Sequence, residues 1–528
     1  MKKRFYITTP IYYPSGNPHI GHAYCTTLCD IFARYKRMRH FDCYFLTGTD
    51  EHGLKIEKNA QKEGITPQEY VDNITSIFTK LWKAMKISNN DFIRTTEERH
   101  IKVVQEAFTK MYQNDDIYLG KYEGWYCTPC ESFWTETQVG PEHICPDCGR
   151  PVEKATEESY FFKTQKYLPE LMKWYEGDKV IYPLNRKNEM LNTFIKPGLE
   201  DLCVSRTSFS WGVPIRENPK HVAYVWLDAL CNYLSALGYG SEHDELYKKY
   251  WESEESEIIH VIGADITRFH TIYWPEFLLS LGVRLPDRVF VHGLMMMKDG
   301  KMSKSKGNVV SPYPLIEKYG VDAVRYYLVR EIIFGQDGQF TPEQFVERIN
   351  VDLANNIGNL VSRTVSMIQK YFDGKIPSFV ENVNEQDKEL EILVKSAIES
   401  YENKLDDLHI TEAIVDVMNL LGRANKYIEE SAPWVLAKDP SKTENLKSVM
   451  AHLAYIIFVG AKLLEPVLVE KTPLIFDSLG ASENERDYSN IFNEHVLDNH
   501  EVKKGEVLFP RLDVAKETEY IKGLMGGK

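Results

Sequence analysis

Short apolar, β-branched runs alternate with helix-patterned stretches over the first hundred residues, and this alternation constrains the fold most. "RFYITTP" leads into a helical pattern after His22, then "DCYFLTGTDEHG", then "TPQEYVDNITSIFTKLWKAMKI". Strands separated by crossover helices pair in parallel, so an α/β fold is predicted. In such folds ligands sit beyond the carboxyl ends of the strands, where "PSGNPHIGH" and "TGTDEHG" fall. From about Tyr118 to Ala223 the pattern becomes aromatic, charged and turn-rich, and reads as an insertion. Strand texture returns in "HVAYVWLDAL", "EIIHVIGADI" and "DRVFVHGLMMM", so the sheet is completed after it. Beyond about Thr341 the chain is helical.

At 528 residues the chain is too long for one core and implies roughly three to four domains. A formal charge of −14 argues against a coat of basic surface, while nucleic-acid binding needs only a local positive track. "MKKR" is followed by Thr8, Thr9 and Pro10 before any apolar signal core can form. The run "LAYIIFVGA", Leu453 to Ala461, falls short of the roughly 20 apolar residues that span a bilayer and reads as a buried helix. These features place the chain in the cytoplasm, without a membrane partner.

Four of the nine cysteines form "CTPC" and "CPDC". Cys127, Cys130, Cys145 and Cys148 have the spacing of two knuckles around one tetrahedral zinc, and four thiolates leave no open position, so the site is structural. A disulfide framework is the weaker alternative in a reducing compartment. Cys25, Cys29, Cys43, Cys203 and Cys231 are scattered and read as small buried hydrophobes.

Asn17 suits an N-cap and Pro18 a first helical position. His19 and His22 then share one face of the opening turn, beside unpaired N–H groups and the positive end of the helix dipole, a place for a phosphate. Local capping or packing of the two rings is the alternative. Nearly 280 residues later, "KDGKMSKSKGNVVSPYPLIEKYG" carries Lys298, Lys301, Lys304 and Lys306 among serines and glycines. A solvated charge run is one reading. A flexible loop closing over a polyphosphate held at the helix start is the other, and it suits in-line attack at phosphorus.

In "VDLANNIGNLVSRTVSMIQKYF", Leu353, Ile357, Leu360, Val361, Thr364 and Ile368 form one buried stripe. Asn356, Asn359 and Arg363 form a polar one. Positions 226, 229, 230 and 233 share a helical face, which from periodicity alone reads as a core face.

"HIGH" at His19–His22 and "KMSKS" at Lys301–Ser305, in this order and in these contexts, resemble the paired signatures of class I aminoacyl-tRNA synthetases. Over nearly the whole chain the sequence resembles the methionyl-tRNA synthetase family within that class. The resemblance implies a Rossmann-like catalytic domain split by a zinc-binding connective insertion, then an all-α anticodon-binding bundle. It implies the bounds 1–117 and 224–296 for the catalytic halves, 118–223 for the connective insertion, 297–349 for the KMSKS loop and linking domain, and 350–528 for the bundle.

The resemblance also assigns site residues. His19, His22, Lys301 and Lys304 would be catalytic, with Gly21, Gly263, Asp265 and His292 joining His19, His22 and Lys304 around Mg2+-bound ATP. Methionine would meet Pro10, Ile11 and Tyr13, with Asp50 pairing its ammonium. Trp226, Ala229, Leu230, Tyr233, Ile266 and His270 would complete the pocket. Asn359, Arg363 and Trp434 would contact the anticodon of tRNA(Met), with Trp434 as a core anchor the alternative. Gly21 would leave space for the nucleotide. The insertion is too short for a separate editing domain, and its cysteines allow one zinc.

The expected activity is methionine activation by ATP followed by transfer to the tRNA 3′ end. A nucleotidylyltransferase also uses an H-x-G-H turn, but the helical tail and zinc insertion argue against it. An inactive RNA-binding relative is disfavoured by the intact histidines and loop lysines. Many family members carry a further carboxyl-terminal tRNA-binding and dimerisation domain, for which there is no room after "LFPRLD", so a monomer is expected.

Overall fold

The structure is a computed structural model that describes residues 3–128, 132–134, 136–146, 148–297, 300–301, 310–333, 335–381 and 383–525. Contacts divide the chain into two compact units. One comprises Met1–Pro18, Asp42–Leu81 and Ser88–His292, the other His19–Phe41, Trp82–Ile87 and Gly293–Lys528.

The first unit is built on β1 (Arg4–Thr8), β2 (Asp42–Thr49), β3 (Asp91–Arg94), β4 (Ile181–Tyr182), β5 (Ser256–Gly263) and β6 (Arg288–His292). They form one six-stranded sheet in the order β3-β2-β1-β5-β6-β4. Every pairing is parallel, as the strand–helix alternation predicts. β1 and β5 are almost wholly buried, which is why "FYIT" and "IIHVIG" are continuous apolar runs and not alternating ones. Gly263 pairs with His292, so β5 and β6 end in register, while β1 ends at Thr8 opposite His260, short of the end of β5.

The stretch read as an insertion contains a separate antiparallel sheet, with Ile117–Cys127 paired against Glu153–Phe162 along nearly its whole length. It also lends β4 to the edge of the parallel sheet. The helix α1 (Glu98–Gln113) and the short helix α2 (Val225–Leu230) carry residues used below.

The second unit opens with the histidine-bearing helix Ile20–Met38. It continues through Val321–Glu331, a π-helical stretch at Ile349–Gly358 and the helix Asn359–Phe372. The predicted stripe is buried at Leu353, Ile357, Leu360, Val361, Thr364 and Ile368. Helices Glu385–Asp406, Ile410–Ser431 and Thr443–Leu464 pack as a bundle. The last of these is long and apolar enough to cross a membrane, yet 94% of its most apolar window is buried inside the protein. "LAYIIFVGA" is therefore a core helix, as expected.

Candidate active site

The helix that carries the histidines begins at Ile20, with His19 as its N-cap. This corrects the expected start at Asn17 and Pro18, and the reason is local. His19 Nδ1 accepts from the Gly21 N–H at 3.1 Å, and His22 Nδ1 accepts from the His19 N–H at 3.0 Å. Two backbone donors that a helix start leaves unpaired are thus satisfied reciprocally by the two rings. The capping alternative and the anion-site reading are both compatible with this geometry. With Nδ1 accepting, each neutral ring carries its proton on Nε2 and presents an N–H donor, the polarity an anion requires. The ring centroids lie 3.9 Å apart.

Gly21 has a structural role of its own. A Cβ there would stand 2.9 Å from His19 Cε1 and 3.0 Å from Nδ1, so any side chain displaces the capping ring. The Ile20 N–H donates to the Val310 carbonyl at 3.0 Å, which ties the first helical residue to the chain just past the lysine-rich loop. Of the predicted loop residues, Lys301 is described through its backbone, paired with Met296 in a short antiparallel ladder. Lys298, Lys304 and Lys306 lie outside the described residues.

The other predicted residues of the reaction centre belong to the first unit. Asp50 follows β2 and Pro10 follows β1, at the carboxyl end of the sheet. Gly263 and His292 face each other across β5 and β6 at that same end, with exposed Asp265 in the turn that follows. Ile11, Trp226, Leu230, Tyr233 and Ile266 pack on one hydrophobic cluster, and Ala229 is buried beside Leu230. Trp226 stacks on Phe269 with centroids 3.4 Å apart and the rings 8° from parallel. Tyr13 belongs to a different cluster, with Ile56, Tyr70 and Trp211, and the Lys55 ammonium sits 5.4 Å from its ring centroid.

Hydrogen bonds fix the tautomers here. His270 Nδ1 can only donate to the Ile266 carbonyl at 3.0 Å, so Nε2 accepts from the Tyr233 hydroxyl at 2.7 Å. Burial lowers the His270 pKa to about 4, and the ring is neutral. His260 accepts the Trp274 indole N–H on Nε2 at 3.2 Å and donates from Nδ1 to Thr8 Oγ1 at 2.8 Å. Its ring stacks against Tyr233, and burial holds its pKa well below the usual histidine range.

Three residues bonded to one another beside these side chains escaped the sequence reading. Asp228, fully buried, accepts from His52 Nδ1 at 2.7 Å on one oxygen and from His100 Nε2 at 2.8 Å on the other. Burial opposes its charge, but the two imidazoles prevail and hold its pKa at about 2. The signal was present as an acid inside the apolar "VWLDAL" and a histidine two positions after Asp50. Nothing in sequence linked either to His100.

In the insertion, the sulfurs of Cys127, Cys145 and Cys148 all lie within 4.8 Å of one another, and Cys127 and Cys148 are 3.6 Å apart. Four thiolates at about 2.3 Å from a tetrahedral zinc stand about 3.8 Å apart, so this spacing fits the ion. Gly149, with φ 67°, makes the turn in which its N–H returns to the Cys145 carbonyl at 2.9 Å. Cys130 lies outside the described residues. Cys25, Cys29, Cys43, Cys203 and Cys231 are all buried, as expected.

In the helical unit, Asn359 is exposed, and Arg363 Nη2 lies 2.6 Å from Glu429 Oε1. Trp434 is 40% exposed, which rules out the core-anchor alternative. Asn356, on the same polar stripe, is instead tied into the bundle by Asn425 and the Met418 carbonyl.

Comparison with known proteins agrees with this geometry. A family profile described as "tRNA synthetases class I (M)" matches residues 5–157 and 149–365. One described as "Anticodon binding domain of methionyl tRNA ligase" matches 376–528. The methionine–tRNA ligase of Bacillus subtilis (strain 168) is 54% identical, over 99% of this chain and 80% of that protein. That of Halalkalibacterium halodurans is 53% identical, over 100% and 81%. Among solved structures, Mycobacterium tuberculosis methionyl-tRNA synthetase in complex with methionyl-adenylate superposes with a TM-score of 0.91 at 38% identity, over 96% of this chain and 100% of that one. A parallel sheet with Asp50, Gly263 and His292 at its carboxyl ends, a three-cysteine cluster in the insertion and a helical carboxyl-terminal unit are thus joined in a chain that belongs to the methionine–tRNA ligase family of class I tRNA synthetases.

Proposed function

We infer that this chain activates L-methionine with ATP and transfers the methionyl group to tRNA(Met). The observation that carries the reading is the reciprocal capping of His19 and His22, which turns two Nε2–H donors into fixed features of a helix start. In the first step the methionine carboxylate attacks the α-phosphorus of Mg2+-bound ATP. The α–β P–O bond breaks, and methionyl-adenylate and pyrophosphate form. His19 and His22 stabilise charge on the phosphates, while Lys301 and Lys304 close over the β and γ groups as pyrophosphate departs. Positioning and charge stabilisation supply the rate, and no side chain acts as a covalent nucleophile. In the second step a ribose hydroxyl at the tRNA 3′ end attacks the activated carbonyl and AMP leaves.

Methionine binds with its ammonium on Asp50 and its thioether among Pro10, Ile11, Tyr13, Trp226, Ala229, Leu230, Tyr233, Ile266 and His270. A neutral His270 that already accepts from Tyr233 suits an uncharged sulfur, because no cation is left to favour an anionic side chain. Gly263, Asp265 and His292, with Gly21, line the ATP subsite. Asn359, Arg363 and Trp434 read the anticodon. Cys127, Cys130, Cys145 and Cys148 hold one structural zinc, which stabilises the insertion and takes no part in the chemistry. We assign 1–117 and 224–296 to the catalytic halves, 118–223 to the insertion, 297–349 to the loop and linking domain and 350–528 to the bundle. The compartment we propose is the cytoplasm, where thiols stay reduced.

Methionine-dependent exchange of pyrophosphate into ATP, without tRNA, tests the reading. Exchange with methionine and with no other natural amino acid is the expected result. Exchange driven by a different amino acid overturns the specificity, and none with any amino acid overturns the activity.

A further inference from the structure

The methionine pocket has two arms from distant parts of the chain. The ammonium arm is the segment after β2 that carries Asp50, and the side-chain arm is α2 with the residues after it. Asp228 sits in the side-chain arm, directly before Ala229 and two residues after Trp226. Its partner His52 sits in the ammonium arm, two residues after Asp50. The 2.7 Å bond between them joins the arms across 176 residues of sequence.

The remaining bonds make this joint rigid. The second Asp228 oxygen takes His100 Nε2 from α1, and His100 Nδ1 lies 2.8 Å from Ser235 Oγ, just beyond Tyr233. An ionised carboxylate only accepts, so both imidazoles donate to it and both tautomers are set. Between Asp50 and His52, the Glu51 carboxylate is held by Thr49 at 2.6 Å, Thr75 at 2.8 Å and Arg94 at 2.7 Å. The Asp50 N–H itself donates to the Tyr12 carbonyl at 3.0 Å. The segment is thus clamped at consecutive residues, and Asp228 is its tie to the thioether-binding side. A buried carboxylate between two imidazoles is a poor way to gain stability, since apolar side chains of similar volume fill such a site as well or better. Its directional bonds do what apolar packing cannot, which is to fix the distance and orientation between two segments.

We propose that Asp228 and His52 are positioning residues for methionine, holding the ammonium-binding Asp50 in register with the thioether pocket of α2. The inference rests on the methionine site proposed above. Neither residue reacts; both act through Asp50 and the α2 side chains.

Pyrophosphate exchange with the full chain tests it, with KM for methionine, KM for ATP, kcat and the thermal midpoint measured for each variant. His52→Ala raises KM for methionine by about tenfold, the scale of losing one hydrogen bond to a charged group, and changes KM for ATP less than about twofold. His52→Asn, whose amide N–H stands where Nδ1–H stood, restores most of the loss. Asp228→Asn, which leaves one acceptor for two ring donors, shows the same split at smaller size. Asp50→Asn serves as the reference. If Asp50→Asn leaves KM for methionine unchanged, the site assignment itself fails, and this inference falls with it. If Asp50→Asn raises KM while His52→Ala does not, the positioning role alone is overturned. It is equally overturned if His52→Ala raises both KM values in step with a lowered thermal midpoint, or if His52→Asn does not rescue.

Discussion

Arg325 and Asp30 form an ion pair in which neither side chain is exposed, with Nη2 2.6 Å from Oδ2. Asp30 lies on the histidine-bearing helix and Arg325 on the helix Val321–Glu331 that follows the lysine-rich loop. The same guanidinium donates to the carbonyls of Met85, Pro466 and Val467. It is thus the shared donor to three other segments of the second unit, around Asp30, Met85 and Pro466–Val467. Arg325→Met should destabilise that unit by about 3–5 kcal/mol, the scale of breaking a buried pair, read by chemical denaturation. An apolar pair often replaces a buried ion pair without loss. The double variant Asp30→Leu, Arg325→Met should nevertheless regain little, because three backbone acceptors still lose their donor.

Glu276 is buried, and neither of its carboxylate oxygens has a hydrogen-bond partner among the described residues. Burial first, and then the nearby Asp201 charge, push its pKa up to about 9. The unfolded chain gives up this proton near pH 4.5, while the folded chain keeps it to about pH 9. The folded state therefore binds more protons across that window, and the group's contribution is complete below about pH 4.5 and lost as pH rises towards 9. The slope is at most about 1.4 kcal/mol per pH unit. Glu276→Met should raise the thermal midpoint, by more at pH 8 than at pH 5.

Gly21→Ala should separate activity from stability. The added Cβ collides with the His19 ring, so pyrophosphate exchange should fall by at least about tenfold through misplacement of a single donor. Alanine exceeds glycine in helix propensity by about 1 kcal/mol, so the thermal midpoint should hold or rise. A parallel loss of both would show that the capping geometry is not what the glycine protects.

Removal of the metal should act on the insertion and not on the reaction step. Cys148→Ser should lower bound zinc below one ion per chain, measured by atomic absorption, and increase protease cleavage within 118–162. The kcat for exchange should change far less than in His19 or His22 variants.

Trp434, exposed in the free chain, should be replaceable by Ala at a stability cost within about 0.5 kcal/mol. Trp434→Ala should impair tRNA charging and leave exchange unchanged. An equal loss in both assays would mark the indole as structural.

Sequence determined the features that depend on local chemistry and period. The alternation of apolar strands with helices implied the parallel sheet, and β1, β2, β5 and β6 pair as that pattern requires. The stripe from Leu353 to Ile368 is buried because its 3.6-residue period is a property of the chain itself. The cluster of Cys127, Cys145 and Cys148 was legible because metal ligation demands a spacing. Tertiary structure decided what depends on partners distant in the chain. The helix starts at Ile20 because His19 and His22 cap it, which side-chain rotamers settle and composition does not. The Ile20–Val310 bond, the Asp30–Arg325 pair and the His52–Asp228–His100 tie each join segments more than a hundred residues apart. A hydrogen bond is worth something only at a distance near 3 Å and in a narrow range of angles. No period or motif encodes that coincidence, and only the folded chain supplies it.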